Sequence, residues 1–289
     1  MTQHTGSRLQ ADNEAIFLIH VPKTAGSTLR IVVRRQYAED ECFLTYPPRE
    51  PGRTLASHPQ PEQLRLVMGH YRYGFHRDRP GLPYRYAAFL REPFSQVRSH
   101  YYYLRTAPKR KHAERDRHRS IIEQYPTLAD FAGHEWAYNL QTVYLSGIPY
   151  VLLKDAPEEA LSQAIRNLDT EFVAVGLTER FDESLVVLQY HLGWRDVSYV
   201  KTNVRTQRFA DEDDTDQARE AIDGVTRLDQ VLYDHAQAML DRQISQIPDF
   251  ESRLEILREK NAAKAAAAAA AEQATGGSST STAASVSGP

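Results

Sequence analysis

The sequence predicts an α/β fold in three layers, with a mostly parallel central sheet flanked by helices and a helical C-terminal part. Short apolar runs bounded by polar turns recur as far as residue 175, and such runs are typical of buried strands. In three places the following segment carries apolar residues at spacings of three and four, which indicates a helix. Strands that alternate with helices favour a parallel sheet covered on both faces.

The individual elements follow from these patterns. Strands are predicted at residues 15–21, 65–68, 85–90 and 171–175, with 150–153 as a weaker fifth. Helices are predicted at residues 27–37, 94–105 and 178–192, and Gly193 suits the C-terminal stop of the last one. From about Thr215 the chain is predicted to be helical. Apolar residues from Val225 to Met239 mark one long amphipathic helix, in which His235 is expected to be a packing residue.

The composition limits the class of protein. The 289 residues carry a net charge of −3 and are 41% hydrophobic, which is ordinary for a soluble globular protein and predicts no nucleic-acid partner. The single cysteine, Cys42, excludes an intrachain disulfide and fits a reducing cytoplasm. We expect no signal peptide and no membrane span, and hence a cytoplasmic protein. We further expect a flexible N-terminus at residues 1–14, a single domain at 15–260, and an alanine-rich helix that frays into a disordered tail at 261–289.

The loop PKTAGST, residues 22–28, lies between the first predicted strand and the first predicted helix. In a parallel sheet, ligands bind beyond the carboxyl ends of strands, where a helix N-terminus offers free N–H groups to an anion. Gly26 permits close approach of the backbone, Ser27 and Thr28 offer hydroxyls, and Lys23 adds a positive charge. The loop therefore predicts a phosphate or sulfate cradle in a P-loop-type fold. A Walker A loop fits poorly, since it has lysine directly after the last glycine, whereas Lys23 precedes Gly26 by three residues.

The segment HVPKTAGST, residues 20–28, resembles the 5′-phosphosulfate loop of sulfotransferases that use 3′-phosphoadenosine 5′-phosphosulfate (PAPS). The similarity is closest to the branch that contains heparan sulfate 2-O-sulfotransferase and its bacterial relatives. It implies that Lys23 neutralises charge on the leaving phosphate. It also implies that six residues wrap the 5′-phosphosulfate: Lys23, Thr24, Ala25, Gly26, Ser27 and Thr28.

Two further segments resemble nucleotide-binding parts of the same family. AAFLREPFSQVRSHYYYLR, residues 87–105, resembles the 3′-phosphate motif, which implies that Arg91 and Ser99 bind the 3′-phosphate. An arginine fork suits a phosphate, and Ser99 follows about two helical turns later. YVKTNVRTQR, residues 199–208, falls where the family has a basic loop that closes over the nucleotide. Lys201 and Arg205 are the candidates there, although a solvated loop explains them equally well.

Transfer to a hydroxyl needs a group that accepts the proton, and histidine is the usual choice near neutral pH. His70 follows a predicted strand in a Gly-His pair, and the resemblance implies that its imidazole is the catalytic base. His76 is the runner-up and Glu92 is a reserve. His20 is expected to be buried beneath the loop, and His100 is expected to pack.

The resemblance implies transfer of the sulfuryl group from PAPS to a hydroxyl-bearing small molecule or glycan, with PAP as product and no metal. A P-loop small-molecule kinase and a nucleotide-binding module without activity are the alternatives. Residues 131–147 resemble a family segment that borders the acceptor cleft. The basic residues 105–120 predict either a solvated surface or a flap over an anion site. The oligomeric state is left open.

Overall fold

The computed structural model describes residues 14–45, 54–106, 112–200 and 214–276, without the side chains of 112–115 and 272–276. These residues contain one sheet of five strands in the order β2-β3-β1-β4-β5, and every pairing is parallel. The strands are β1 (Ala15–His20), β2 (Cys42–Thr45), β3 (Leu66–Gly69), β4 (Tyr84–Leu90) and β5 (Phe172–Leu177). The predicted fold class, a mostly parallel sheet flanked by helices, is confirmed.

Helices cover both faces of the sheet and form the C-terminal part. They are α1 (Gly26–Val33), α2 (Pro93–Thr106), α3 (His112–Gln124), α4 (Leu128–Phe131), α5 (Leu140–Ser146), α6 (Tyr150–Leu153), α7 (Pro157–Glu171), α8 (Phe181–Leu192), α9 (Asp216–Val225), α10 (Arg227–Ser245) and α11 (Phe250–Gly276). Short 3-10 helices lie at Leu55–Ser57, Pro61–Gln63, Phe75–Asp78, Glu135–Ala137 and Thr178–Arg180.

Strand β1 lies at the centre of the sheet and positions the loop that follows it. Ile16 is opposite Leu66 of β3 on one side and Arg85 of β4 on the other. All six residues of β1 are buried, as expected for a strand covered on both faces. The larger apolar core surrounds the sheet, and a second cluster joins α2, α3, α4 and α9.

The three predicted strand–helix units are in place, with bounds shifted by a few residues. Gly193 ends α8 in the left-handed conformation, with φ 66°, as predicted. The apolar stripe predicted on α2 is buried in the second cluster. None of the described helices combines the length and the hydropathy that a bilayer crossing requires.

Two strand predictions were wrong in opposite ways. Residues 150–153 form the short helix α6, which begins after Pro149, instead of a fifth strand. A short apolar run fits either element, so periodicity could not separate them. Strand β2 was missed because it is a half-exposed edge strand preceded by the acidic residues Glu39, Asp40 and Glu41.

The long amphipathic helix predicted from Val225 to Met239 is α10, and a break separates it from α9, the helix before it. The break falls at Thr226, whose hydroxyl donates to the carbonyl of Ile222, 2.9 Å away. His235 packs α10 against α7 through its Nε2, which lies 2.8 Å from the Asp169 carboxylate, so its contact is polar. Helix α11 runs through the alanine-rich stretch to Gly276, and the division into domains stays a prediction. Residues 1–13 and 277–289 lie outside the described residues.

Candidate functional site

The carboxyl ends of three neighbouring strands meet at one edge of the sheet. The PKTAGST loop follows β1, His70 follows β3, and Arg91 follows β4. Since β1 lies between β3 and β4, these three segments start side by side. This is the edge at which open parallel sheets bind ligands.

The loop after β1 turns sharply before it enters α1. Lys23 and Ala25 both have left-handed backbone conformations, with φ 73° and 59°. Thr24 is fully buried between them, and its hydroxyl donates to the carbonyl of Val21 at 2.9 Å. Ala25 occupies the N-cap of α1, and it provides no side-chain hydrogen bond to the first turn. A turn of this kind beside a helix N-terminus presents main-chain N–H groups and a partial positive charge to an anion.

Gly26 is packed directly over the ring of His20. A Cβ atom at this position would lie 1.7 Å from Cε1 of His20, so only glycine fits. The sequence had indicated that Gly26 lets an anion approach, but the structure gives a second reason, the ring beneath it. His20 is buried as predicted, and burial, followed by the charge of His70, holds its pKa well below the ordinary value.

Arg91 and the loop are in direct contact. The Nη1 of Arg91 donates to the carbonyl of Lys23 at 3.1 Å, and the Nε2 of Gln96 donates to the carbonyl of Pro22 at 3.0 Å. The Nε of Arg91 also lies 3.8 Å from the Glu179 carboxylate. The segment between β4 and α2 therefore braces the loop, and the two motifs identified in the sequence are in direct contact.

Ser99 lies on the side of α2 that faces the loop. Gln96, three residues earlier, bonds the loop, and Tyr103, four residues later, has its ring centroid 4.3 Å from the Nζ of Lys23. Residues at such spacings share one face of a helix. Ser99 is half-buried on that face, so its placement is consistent with its predicted role.

His70 is oriented by a main-chain carbonyl. Its Nδ1 lies 2.8 Å from the carbonyl oxygen of His20, and the two imidazole centroids are 4.6 Å apart. A carbonyl only accepts hydrogen bonds, so we assign the ring proton to Nδ1, which leaves the basic lone pair on Nε2. His20 thus connects the loop above it to His70 beside it.

His76 lies at the other end of the sheet. Its ring stacks on Tyr84 with centroids 4.0 Å apart, and its Nδ1 lies 2.7 Å from the hydroxyl of Tyr86. Tyr84 pairs with Ala15, the first residue of β1, whereas the loop follows the last residue of β1. This position favours His70 over His76 as the base.

Glu92, the reserve candidate for the base, caps the start of α2. Its carboxylate accepts from the N–H groups of Phe94 and Ser95 at 3.0 and 2.7 Å, at the start of α2. The carboxylate near Arg91 belongs to Glu179. A carboxylate held by two main-chain donors is poorly placed to accept a substrate proton.

A cleft of about 360 Å³ adjoins the loop and was not predicted. Ala25 and Thr28 form one wall, residues 178–183 another, and Tyr199 and Arg258 complete it. Tyr199 donates its hydroxyl to Asp182 at 2.8 Å, and burial and this carboxylate raise its pKa. Residues 178–183 follow β5, so they lie at the same edge of the sheet as the loop. Their position directly after a predicted strand is the sequence signal that could have indicated this cleft.

The remaining candidates lie partly outside the described residues. Lys201 and Arg205 are in the undescribed segment 201–213, and Ser27 is exposed on the first turn of α1. His100 is buried as predicted and stacks on Trp136, with centroids 5.0 Å apart and planes 3° from parallel. Burial holds the pKa of His100 well below its ordinary value. Arg117 of the basic segment lies 4.9 Å from the ring of Trp136.

Comparison with known proteins identifies the class as sulfotransferase. The model of one family, described as galactose-3-O-sulfotransferase, matches residues 8–276. The match spans most of the chain, and the chain belongs to the galactose-3-O-sulfotransferase family. The predicted membership in the sulfotransferases is thereby confirmed, whereas the heparan sulfate 2-O-sulfotransferase branch is not.

Two other comparisons add little. No curated protein matches the chain. The crystal structure of mouse sulfotransferase SULT7A1 complexed with PAP is similar at 14% identity, over 78% of this chain and 89% of that chain, with a TM-score of 0.29.

Proposed function

We propose that the protein transfers a sulfuryl group from PAPS to a hydroxyl of a carbohydrate acceptor and releases PAP. The observation that carries the proposal is the contact between Arg91 and the PKTAGST loop, 3.1 Å from Nη1 to the carbonyl of Lys23. It joins two anion-binding segments side by side, as a nucleotide with phosphates at both ends requires. Membership in a sulfotransferase family supports the choice of PAPS over other nucleotides.

The site fits such a nucleotide in two parts. The main-chain N–H groups of residues 24–27 and the ammonium of Lys23 would hold the 5′-phosphosulfate. Thr28 would contribute its hydroxyl, since its N–H already donates to the carbonyl of Ala25 at 3.1 Å. Thr24 would contribute its N–H only, since its hydroxyl already donates to Val21. Arg91 and Ser99 would hold the 3′-phosphate, and the cleft beside Thr28 would take part of the nucleoside. Lys201 and Arg205 stay candidates for further contacts.

The chemistry is assigned to His70 and Lys23. PAPS supplies the sulfuryl group together with a phosphate leaving group. The Nε2 of His70 takes the proton from the acceptor hydroxyl as its oxygen bonds to sulfur. Lys23 neutralises the negative charge that develops on the phosphate oxygen as the old sulfur–oxygen bond breaks. The hydrogen bond from Nδ1 of His70 to the carbonyl of His20 fixes the orientation of the ring and directs Nε2 to the acceptor.

We propose a galactose-containing glycan as the acceptor, because the family is described by that activity. The half-buried ring of Tyr103, whose centroid lies 4.3 Å from the Nζ of Lys23, is the aromatic surface near the loop that suits the apolar face of a sugar ring. The cytoplasmic location and the lack of a nucleic-acid partner stay predictions.

The test is transfer from radiolabelled PAPS to methyl galactoside, with methyl glucoside as the comparison acceptor. We expect labelled product from the galactoside, and we expect Lys23→Ala to abolish it. Lys154→Ala is the matched control, because the Nζ of Lys154 also lies over a tyrosine ring, 4.8 Å from the centroid of Tyr150. Its transfer rate should equal that of the unmodified chain.

Ligand-dependent melting separates the alternatives, since a ligand that binds the native state raises its melting temperature. PAP should stabilise the protein without magnesium. Stabilisation by Mg-ATP alone would indicate a kinase, and stabilisation by PAP without transfer to any hydroxyl would indicate an inactive binding module. Either result contradicts the proposal.

A further inference from the structure

The main chain of Arg91 is held by the side-chain amide of Gln141. The N–H of Arg91 donates to Oε1 of Gln141 at 2.9 Å, and Nε2 of Gln141 donates to the carbonyl of Arg91 at 2.7 Å. A neighbouring strand would make the same pair of bonds. The amide of Gln141 therefore acts as one residue of an extra strand at the point where β4 has ended.

Gln141 is itself fixed by a buried carboxylate. Gln141 and Thr142 are fully buried, and their N–H groups donate to Asp229 at 3.0 and 2.7 Å. The hydroxyl of Thr142 donates to the same carboxylate at 2.7 Å. Asp229 thus caps the N-terminus of α5, and the backbone of Gln141 has little freedom to move.

The cap is reciprocal. Asn139, at the N-cap of α5 with φ 44°, accepts from the N–H groups of Leu228 and Asp229 at 2.9 and 3.2 Å. Each of the helices α5 and α10 therefore supplies the cap of the other. Both N-termini are locked at the end of β4, and the polar groups involved lie in the protein interior.

We propose that Gln141 is a positioning residue for Arg91: its amide fixes the main chain of Arg91 so that the guanidinium stays directed toward the nucleotide phosphate. The inference rests on the proposed function, because it assumes that Arg91 binds a phosphate. In this role Gln141 contacts neither the acceptor oxygen nor the sulfur, and its effect on binding passes through Arg91 alone. Binding groups need placement to within about half an ångström, and such placement comes from the residues that support them.

The chain offers a closely matched control for this role. Gln243 of α10 clamps the main chain of β5 in the same way, with Nε2 2.9 Å from the carbonyl of Val173 and Oε1 3.3 Å from the N–H of Val175. It is almost fully buried, like Gln141. Gln141→Met and Gln243→Met remove equivalent bonds with little change of volume, but only the first lies beside Arg91.

The experiment measures the affinity for PAP by calorimetry and the kinetic constants with PAPS. Gln141→Met should weaken PAP binding and raise the KM for PAPS, each about tenfold, with kcat within about twofold, because uniform binding is lost. Gln243→Met should leave both constants unchanged, while both variants lose similar thermal stability. If Gln141 had only a structural role, Gln141→Met would lower thermal stability, but its PAP affinity and its KM for PAPS would equal those of Gln243→Met.

Each further outcome also decides the matter. Equal PAP affinity in Gln141→Met and the unmodified chain overturns the inference and leaves the proposed function intact. Failure of the unmodified chain to bind PAP overturns the proposed function first. If Gln141→Met does not fold, the milder Gln141→Asn replaces it. If neither folds while Gln243→Met does, Gln141 serves the whole fold and the inference is wrong.

Discussion

Replacing Gly26 by alanine should disrupt both the fold and the site, because of the ring beneath it. The new Cβ would lie 1.7 Å from Cε1 and 1.8 Å from Nε2 of His20. Carbon atoms in contact are normally about 3.5 Å apart, so the ring or the loop must move by roughly 2 Å. The ring of His20 is buried and lies against that of His70, so it has little room to swing.

The magnitude follows from what overpacking costs. Forcing a methyl group into a filled interior costs about 1–3 kcal/mol of unfolding free energy, and at least the upper part of that range is expected here. For a domain of this size that corresponds to a melting temperature lower by roughly 5–10 °C. Turnover should fall more steeply, since a displacement of about 1 Å at a catalytic group can cost about 100-fold. Any movement of His20 would displace His70, because the Nδ1 of His70 is hydrogen-bonded to the carbonyl of His20.

Differential scanning fluorimetry and the transfer assay measure the two effects. Gly224→Ala is the control, because Gly224 lies in α9 and a methyl group there would meet no atom within 4 Å. The unfolding free energy of this control should rise by about 0.5–1 kcal/mol, since alanine favours the helix more than glycine does. Combining Gly26→Ala with His20→Ala should recover part of the lost stability. Unchanged melting and turnover in Gly26→Ala would refute the reasoning.

Three further predictions follow from contacts at the same edge. His70→Ala should lower kcat at least about 100-fold, while its affinity for PAP stays within about threefold. The control variant His76→Ala should lose stability and keep its turnover. Intact turnover in His70→Ala would contradict the assignment of the base. Thr24→Val should cost about 1–3 kcal/mol in urea melts, because the carbonyl of Val21 loses its donor, whereas Thr24→Ser should cost less. Burial raises the pKa of Asp229 to about 6, so the folded state keeps this proton where the unfolded state has lost it. Stability should therefore fall by about 3 kcal/mol as pH rises from about 4 through 6, and Asp229→Asn should flatten that slope; an unchanged slope would contradict the shift.

The segments of the candidate site could be predicted from the sequence because each of them is local. PKTAGST, the Gly-His pair and Arg91 each follow an apolar run directly, so the parallel arrangement alone brings them to one edge. The chemistry of an anion cradle is also local, since one short turn and one helix start supply it. A pattern of this kind can be recognised without any knowledge of distant contacts.

The rest depended on contacts between remote segments. Gln141 reaches Arg91 across 50 positions, and Asp229 reaches Gln141 across 88, so neither has a local pattern. The role of Gly26 against His20 required the ring position. Helix α6 was predicted as a strand because a four-residue run carries too little periodicity to separate helix from strand, and β2 was missed because it is a half-exposed edge strand.

The reciprocal caps of α5 and α10 also bear on how the chain assembles. Asn139 and Thr142 precede Asp229 by 90 and 87 positions, so α5 emerges during synthesis well before Asp229 exists to cap it. Until α10 docks, the N–H groups in the first turn of α5 must bond to water, and Asp229 does not yet hold the backbone of Gln141 in place. The edge of the sheet that carries the candidate site is therefore completed only when the C-terminal third of the chain has folded against it.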